Sequence, residues 1–388
     1  MMPYWRLSAW YFFYFAFIGA FSPYFALYLQ SLGHSAWNIS VLLSLMQVMR
    51  LVAPNLWSWL ADRVGSKAPI VRVAAAMCLV GFASFFVTTG FTGMFLGMTF
   101  LAFFWSASLP LVEALTLEHL KLQAERYGII RLWGSVGFIA TVLGIGALLD
   151  ALPIDSLLWG CMILLVGIFA CSLTLSEPTA VTVTKISAPL GVTLRLPQVL
   201  ALLAACFLMS AAHGPLYVFY SIHLVDHCYG KALVGGLWAL GVVAEIMVFL
   251  LMPRLLRRYS LRTILLASFA CAVMRFLMIG WGVEFPSILL LAQLLHGATF
   301  GAYHAAAVAA LHRWFPALQQ ARAQALYGSV SFGAGGMLGG LLSGQTWDVF
   351  GAGWTFSLGA LFALAGLLLV WYGMHKELPA ADSAPATE

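Results

Sequence analysis

The sequence predicts an all-α membrane protein with twelve transmembrane helices in two six-helix bundles. Of its 388 residues, 62% are hydrophobic and 9% are charged, whereas an ordinary soluble domain carries about 25% charged residues. Apolar runs of roughly 20 residues, the length that crosses about 30 Å of hydrocarbon, recur along the whole chain. A long polar segment near the middle divides these runs into two sets of six.

Each predicted span is an apolar run bounded by polar or charged residues. The twelve spans cover residues 7–31, 37–60, 69–89, 91–118, 128–149, 154–175, 198–225, 232–252, 262–282, 285–311, 323–346 and 353–374. The first run is too long for a signal peptide and lacks a small-residue cleavage site, so we interpret it as helix 1. Five of the six cysteines fall inside spans, where cysteine acts as a small apolar residue, and no disulfide framework is predicted.

The distribution of Lys and Arg predicts the orientation of the chain. Cytoplasmic loops of membrane proteins are enriched in these residues. With the N-terminus inside, fifteen of the nineteen lie on the cytoplasmic side, Lys231 lies alone on the other side, and three fall within spans. We therefore expect both termini to be cytoplasmic in a bacterial-type inner membrane. The net charge of +5 is then a topology signal, and no nucleic-acid partner is predicted.

We predict bundles at residues 1–175 and 198–374, a cytoplasmic linker at residues 176–197, and a disordered cytoplasmic tail at residues 375–388. The linker is the longest segment that is not hydrophobic, and it contains three prolines. Such a composition is typical of a connection between two domains.

A weak internal repeat supports this division. Tyr127-Gly128 recurs as Tyr327-Gly328, each at the start of a glycine-rich span, and Asp150 and Asp348 close the two spans. Parallel repeats of this kind are a transporter plan in which the binding site lies between the halves at the middle of the membrane.

Five permanent charges lie inside the predicted spans: Arg50, Glu113, Arg131, Glu245 and Arg275. A charge at the centre of a span costs about 2.5–3.5 kcal/mol, so each is a hypothesis about function. Glu113 and Arg131 can pair near mid-membrane, and Glu245 and Arg275 can form a second pair. Arg50 is then left over, and an uncompensated buried cation favours an anionic ligand such as a carboxylate. The alternative is that both pairs are structural ties between helices.

His296 and His304 lie about two turns apart on the predicted tenth helix and share roughly one face. A histidine in a membrane helix is often a hydrogen-bonded packing residue. Because the same bundle holds Glu245 and Arg275, we expect these four residues to carry protons or to contact substrate.

The sequence contains no motif of a known enzyme class. HExxH, GxSxG, a phosphate loop and paired transmembrane aspartates are all absent. His223, Asp226 and His227 have a spacing that could hold a metal, but polar residues are expected at an external helix end. We therefore predict no enzymatic activity, no metal and no cofactor. A receptor would need a sizeable extracellular ligand domain or an unequal helix plan.

The loop after the second span, Asp62-Arg63-Val64-Gly65-Ser66-Lys67, resembles the GxxxDRxGRR signature of the major facilitator superfamily. Ser58 replaces the first glycine of that signature, and Ser66 replaces one basic residue. The resemblance implies a gating loop formed by Asp62, Arg63, Gly65 and Lys67.

The stretches LPLVEAL and YGIIRLWGSVGF, which contain Glu113 and Arg131, resemble the corresponding region of the lactose permease type proton symporters. In that family the equivalent Glu and Arg bind sugar. Three positions differ: Phe138 stands where the family has a sugar-stacking Trp, Thr299 where it has a proton-carrying Glu, and Gln293 where it has a Lys.

RLWGSVGF, LWALGVVAEI, VMRFLMIG and LLHGATFGAYHAAA are more similar to the phenylpropionate permease group of the same superfamily. This resemblance implies proton-coupled uptake of 3-phenylpropionate or a related aromatic acid by a monomer in the lipid bilayer. It assigns coupling to Glu245, Arg275, His296 and His304. The residues expected to bind substrate are Arg131, Glu113, Arg50, Phe138, Trp133, Tyr24 and Tyr220.

Three alternatives remain open. Proton symport of a sugar or nucleoside is favoured by Glu113 and Arg131 and disfavoured by Phe138. Drug efflux is disfavoured because the segment from Arg131 to Asp150 lacks the proline of the antiporter glycine motif. A membrane sensor would bind ligand without moving it.

Overall fold

A computed structural model describes residues 4–120, 126–177, 190–191 and 193–375. These residues form helices and connections, with no β-strand among them. Most of the predicted linker and all but the first residue of the predicted tail lie outside the described residues. The α-helices are α1 (Tyr4–Ser31), α2 (Ala36–Val64), α3 (Ala68–Ala83), α4 (Phe91–Leu120), α5 (Tyr127–Ala151), α6 (Ser156–Leu173), α7 (Pro197–Ala212), α8 (Gly214–Asp226), α9 (Lys231–Arg258), α10 (Leu261–Trp281), α11 (Pro286–Leu294), α12 (Tyr303–Trp314), α13 (Ala317–Gly328) and α14 (Gly336–Gly373).

Within the described residues, eleven helical segments are long and apolar enough to cross a membrane. The last segment, Ala317–Gly373, is 57 residues long, which corresponds to about 85 Å of helix against about 30 Å of hydrocarbon. It contains the predicted span 323–346 and all but the last residue of the predicted span 353–374. Gly351, between those spans, has φ 81° and ψ 177°, a conformation that interrupts the helix and that essentially only glycine adopts.

Two other predicted spans contain interruptions that hydropathy does not reveal. The span at residues 198–225 is divided at His213, between α7 and α8. The span at residues 285–311 contains a π-helical turn, Gly297–Ala302, between α11 and α12. A second π-helical turn, Ser329–Gly335, joins α13 to α14. Such turns occur mostly as single insertions in α-helices, frequently at functional sites.

The chain divides into two compact units. The first unit comprises Met1–Thr182 and Tyr217–Ala239, and the second comprises Val183–Leu216 and Leu240–Glu388. All seven predicted substrate-binding residues lie in the first unit, and the four predicted coupling residues lie in the second.

In the first unit, α1 packs directly on α5. A Cβ at Gly137 of α5 would collide with the Phe12 carbonyl of α1. At the other end of α5, the Asp150 carboxylate accepts hydrogen bonds from the amides of Lys231 at 2.7 Å and Ala232 at 2.9 Å. It thereby caps the N-terminus of α9, where a negative charge is favoured by the helix dipole.

In the second unit, α7 packs on α14 in the same manner. A Cβ at Gly339 would collide with the carbonyl of Ala211, and one at Gly335 with the carbonyl of Phe207. Small residues therefore allow close backbone approach at the corresponding helix pair of each unit.

Candidate functional site

Glu113 on α4 and Arg131 on α5 face each other in the first unit. Arg131 Nε lies 3.9 Å from Glu113 Oε1, and the side chains are 31% and 36% exposed. This distance exceeds the roughly 2.7–2.9 Å of a direct charge-assisted hydrogen bond. Glu113 lies seven residues before Leu120 and Arg131 four residues after Tyr127. The pair therefore meets within about two turns of these helix ends.

Tyr127, the first residue of α5, also binds Glu113. Its hydroxyl donates to Glu113 Oε1 at 3.0 Å, and the same oxygen is the one measured 3.9 Å from Arg131 Nε. The sequence identified Tyr127 as a landmark of the repeat but gave it no place in the site. Its position four residues before Arg131 was the available signal, since residues i and i+4 of a helix share a face.

The Arg131 guanidinium lies over aromatic rings of α1. Its Cζ is 3.8 Å from the centroid of the Phe15 ring and 5.7 Å from that of Tyr11. Gly134 makes room for this stack, because a Cβ there would lie 2.9 Å from Arg131 Nη1 and 2.7 Å from Phe15 Cδ2. Within the described part of the chain, the guanidinium makes no hydrogen bond. Its two Nη groups are therefore available to a ligand.

Tyr11 is fixed in place by a polar contact between α1 and α4. The Thr116 hydroxyl donates to the Val112 carbonyl at 2.7 Å. Because that bond uses the Thr116 proton, Tyr11 is the donor in the 3.2 Å bond between the two hydroxyls. The Tyr11 ring is thus held beside Arg131.

Two predicted pocket residues on α5 take different directions. Phe138 is seven residues after Arg131 and shares its face of the helix, and it is 9% exposed. Trp133 is two residues after Arg131 and points elsewhere, because residues i and i+2 do not face each other. Its indole donates to the Tyr4 hydroxyl at 3.0 Å, and it lines an apolar groove of about 200 Å³ with Trp5 and other residues of α1.

The other three predicted binding residues make no contact with Arg131 among the described residues. Tyr24 is fully buried and donates to the Val142 carbonyl at 2.7 Å. Tyr220 is fully buried and meets Trp238 edge to face, with ring centroids 5.8 Å apart. Arg50 is exposed on α2 and makes no ion pair with the residues that the structure describes.

In the second unit, Arg275 is fully buried and three of its nitrogens donate to neutral acceptors. Nε donates to the Ala292 carbonyl at 2.9 Å, Nη1 to Thr299 Oγ1 at 3.1 Å, and Nη2 to Gln293 Oε1 at 3.3 Å. His213 Nε2 lies 3.5 Å from Nη1. Thr299 and Gln293, two of the positions that differ from the lactose permease type symporters, are therefore partners of this arginine.

Three further ionisable side chains lie in the second unit. Glu245 is on α9, and His296 and His304 are on the helical segment that contains the π-helical turn. His296 Nε2 lies 3.8 Å from Glu245 Oε2. The Phe300 ring stacks between His296 and His304, at centroid distances of 5.5 and 6.1 Å. His304 Nδ1 is hydrogen-bonded to the Tyr327 hydroxyl at 2.8 Å. In the described segments, no three His, Cys, Asp or Glu side chains converge as metal ligands.

The profile of the MFS_1-like family matches residues 4–358. The chain belongs to this family of major facilitator transporters. It is a multi-pass membrane protein and a secondary transporter of small molecules.

Two relatives of this MFS_1-like chain align with nearly its whole length. It is 30% identical to the "Probable 3-phenylpropionic acid transporter" of Escherichia coli (strain K12), over 92% of this chain and 95% of the relative. It is 28% identical to the "Maltose permease" of Geobacillus stearothermophilus, over 96% of this chain and 95% of the relative. Among solved structures, the nucleoside transporter NupG has a TM-score of 0.82 and 18% identity, covering 96% of this chain and 98% of NupG.

The loop with the major facilitator signature has a defined geometry in this MFS_1-like chain. Gly65 adopts φ 70° and ends α2 in the left-handed conformation that favours glycine. Arg63 lies over the Trp59 ring, 4.2 Å from its centroid. Asp62 is exposed. Lys67 Nζ lies 2.9 Å from Glu118 Oε1 on α4.

Glu177, which sequence reasoning did not single out, forms hydrogen bonds with this loop. Its Oε1 accepts hydrogen bonds from the Ser66 hydroxyl at 2.9 Å and from the amides of Lys67 at 2.5 Å and Ala68 at 2.6 Å. The carboxylate therefore caps the N-terminus of α3, where orphan amides and the helix dipole favour a negative charge.

Proposed function

We propose that this transporter imports a small organic anion, an aromatic carboxylate such as 3-phenylpropionate, together with protons. The observation that carries the proposal is the state of Arg131. Its side chain is 31% exposed, its charge is only loosely matched by Glu113, and its Nη groups form no hydrogen bond with the residues that the structure describes. A planar guanidinium with two free Nη groups matches the two oxygens of a carboxylate.

The contrast with Arg275 supports this assignment. Arg275 is fully buried, and it donates to a carbonyl, a hydroxyl and a side-chain amide. Binding an anion there would require those hydrogen bonds to break inside a buried environment, where an unsatisfied donor is costly. Arg131 is therefore the better anchor for substrate, and Arg275 is a positioning residue of the second unit.

Aromatic side chains next to Arg131 favour an aromatic acid. Phe15 and Tyr11 already present ring surfaces to the guanidinium, and Phe138 lies on the same face of α5. A phenyl ring attached to a bound carboxylate would pack on such surfaces. The printed name of the E. coli relative, a probable 3-phenylpropionic acid transporter, agrees with this chemistry. Arg50, exposed on α2, supplies a further positive charge for an anion.

Coupling to protons is assigned to Glu245 and His296. The two side chains lie 3.8 Å apart and are 21% and 9% exposed, so a proton can bind either member of the pair. Arg275 lies beside them and disfavours a second positive charge. His304, hydrogen-bonded to Tyr327, extends this set of ionisable residues.

The transport cycle is proposed to follow alternating access by twelve membrane spans in two halves of six. Gly351 supplies the break that makes two spans of the segment Ala317–Gly373. Close helix contacts at Gly137 in one half and Gly335 in the other support the repeat. Both termini are placed in the cytoplasm, in an inner membrane, and the working unit is a monomer.

A second candidate function is proton symport of a sugar or nucleoside. The observation that favours it is the partly exposed Glu113 carboxylate next to Arg131, because such a pair can accept from and donate to hydroxyl groups. The maltose permease relative agrees with this alternative.

Counterflow of labelled 3-phenylpropionate in proteoliposomes, with and without an inward proton gradient, tests the proposal. We expect exchange in both conditions, accumulation only with the gradient, and loss of both in Arg131→Ala. Arg258→Ala, which removes a cation at the end of α9, is the matched control and is expected to transport normally. Competition by maltose or uridine but not by 3-phenylpropionate would replace the proposal with the second candidate. Binding without exchange would indicate a sensor.

A further inference from the structure

The distance between the charged groups of Glu113 and Arg131 is longer than that of a direct hydrogen bond between opposite charges. Opposite charges that share a partly buried site normally close to a direct hydrogen bond of about 2.7–2.9 Å. Here the nearest atoms, Arg131 Nε and Glu113 Oε1, are 3.9 Å apart. The hydrogen-bond donor that contacts this carboxylate oxygen is the Tyr127 hydroxyl, at 3.0 Å.

We propose that Tyr127 is a positioning residue that keeps the Glu113–Arg131 pair open, so that the Arg131 guanidinium remains available to the carboxylate of a substrate. The inference rests on the proposed function for the identity of that substrate. Tyr127 donates to Glu113 Oε1 at 3.0 Å, and this is the oxygen that faces Arg131. The phenol thus occupies the acceptor site that the guanidinium would otherwise take.

An aromatic ring stabilises Arg131 in the position that it takes away from Glu113. The guanidinium lies 3.8 Å from the centroid of Phe15, in space that exists because residue 134 is glycine. This stack stabilises the cation without using its N–H donors, since it acts through the face of the guanidinium. Each charge therefore has a partner other than the opposite charge: Tyr127 binds the anion and Phe15 contacts the cation.

The internal repeat provides an independent observation. Tyr327 stands at the position of the second half that corresponds to Tyr127 in the first. Its hydroxyl is hydrogen-bonded to His304 Nδ1 at 2.8 Å. In each unit, the tyrosine of the repeated Tyr-Gly pair binds an ionisable side chain of an earlier helix. The tyrosine of the repeated pair therefore contacts an ionisable residue in both units.

Chemical modification of Arg131 tests the inference without reference to any substrate. Phenylglyoxal reacts with accessible guanidinium groups, and peptide mass spectrometry reads the extent of modification at each arginine of the full-length protein in detergent. In Tyr127→Phe, Glu113 closes on Arg131, and we expect the rate of Arg131 modification to fall about tenfold, as one hydrogen bond to a charged group implies. Tyr28→Phe is the matched control, because that hydroxyl contacts the Phe85 carbonyl at 3.4 Å and lies away from the pair.

A double variant separates this role from a general loss of structure. In Tyr127→Phe with Glu113→Gln, the competing carboxylate is absent, so Arg131 modification is expected to return to the wild-type rate. An unchanged rate in Tyr127→Phe, or no recovery in the double variant, overturns the inference. Protection of wild-type Arg131 by 3-phenylpropionate is read in the same experiment. Absence of protection counts against the proposed substrate and leaves the role of Tyr127 to be decided by the variants.

Discussion

The Arg275 guanidinium donates to the Thr299 hydroxyl at 3.1 Å inside the second unit. Both residues are fully buried. A buried cation is held here by a neutral hydroxyl, at the position where the lactose permease type symporters carry a proton-binding Glu. The proton coupling that we propose therefore uses other residues, Glu245 and His296, whose side chains lie 3.8 Å apart.

Thr299→Val is expected to destabilise the folded protein by about 1.5–3 kcal/mol, the range for a hydrogen bond to a charged group. Valine preserves the shape of threonine but removes one acceptor of the buried guanidinium. Thermal unfolding in detergent measures the effect. Thr346→Val is the control, since that hydroxyl binds only carbonyls of its own helix, and an equal loss in both variants would contradict the expected role of Thr299.

Glu245→Gln is expected to abolish gradient-driven accumulation while leaving counterflow in place. The neutral side chain can no longer exchange a proton next to His296, but exchange of substrate across the membrane does not require net proton movement. Both activities are measured in the same proteoliposomes. Glu284→Gln, at an exposed position outside the helices, should behave as wild type. Retained accumulation in Glu245→Gln would assign the proton to another residue.

Glu113→Gln is expected to weaken uptake at low substrate concentration by about tenfold, or about 1.4 kcal/mol, because Arg131 loses the opposite charge that lies 3.9 Å from its Nε. Without the carboxylate, no negative charge faces Arg131 Nε and orients the guanidinium. The concentration dependence of uptake is the measurement, with Glu284→Gln again as the control. Unchanged uptake would reduce Glu113 to a packing residue.

Gly351→Ala is expected to destabilise the protein by about 1–3 kcal/mol, the typical cost of this backbone conformation for a residue with a side chain. Thermal unfolding measures the difference. Gly144→Ala on α5 is the control, because its backbone is helical and no atom lies within 4 Å of the added Cβ. That change is expected to be neutral or mildly stabilising, and a similar outcome at both positions would contradict the assigned strain.

Sequence reasoning predicted a helical membrane protein of the major facilitator type and singled out Glu113 and Arg131, because both inferences follow from simple physical costs. Glu113 and Arg131 are conspicuous, since few charges fall inside apolar spans. The contacts that define their geometry are not conspicuous. Phe15 is one aromatic residue among many in α1, and Tyr127 sits at a helix start where tyrosine is common. Their roles depend on which helices pack together, and a local sequence pattern does not predict that packing.

The predicted pocket illustrates the same limit. Trp133 and Arg131 were both expected to bind substrate, but a helix directs residues i and i+2 to different faces. Tyr24 was expected to bind substrate as well, and its hydroxyl donates to the Val142 carbonyl. The break at His213 and the π-helical turn at Gly297–Ala302 were missed because hydropathy averages over windows longer than one turn.

The π-helical turn also sets the rotational phase of α12. Each residue of an α-helix advances the chain by about 100°, and a π-helical turn holds one residue more than an α-helical turn. If Gly297–Ala302 formed regular α-helix with the same number of residues, everything beyond it would be rotated by about 100°. His304 would then point away from the Tyr327 hydroxyl. A single residue in this turn therefore decides which face of α12 meets the second repeat tyrosine.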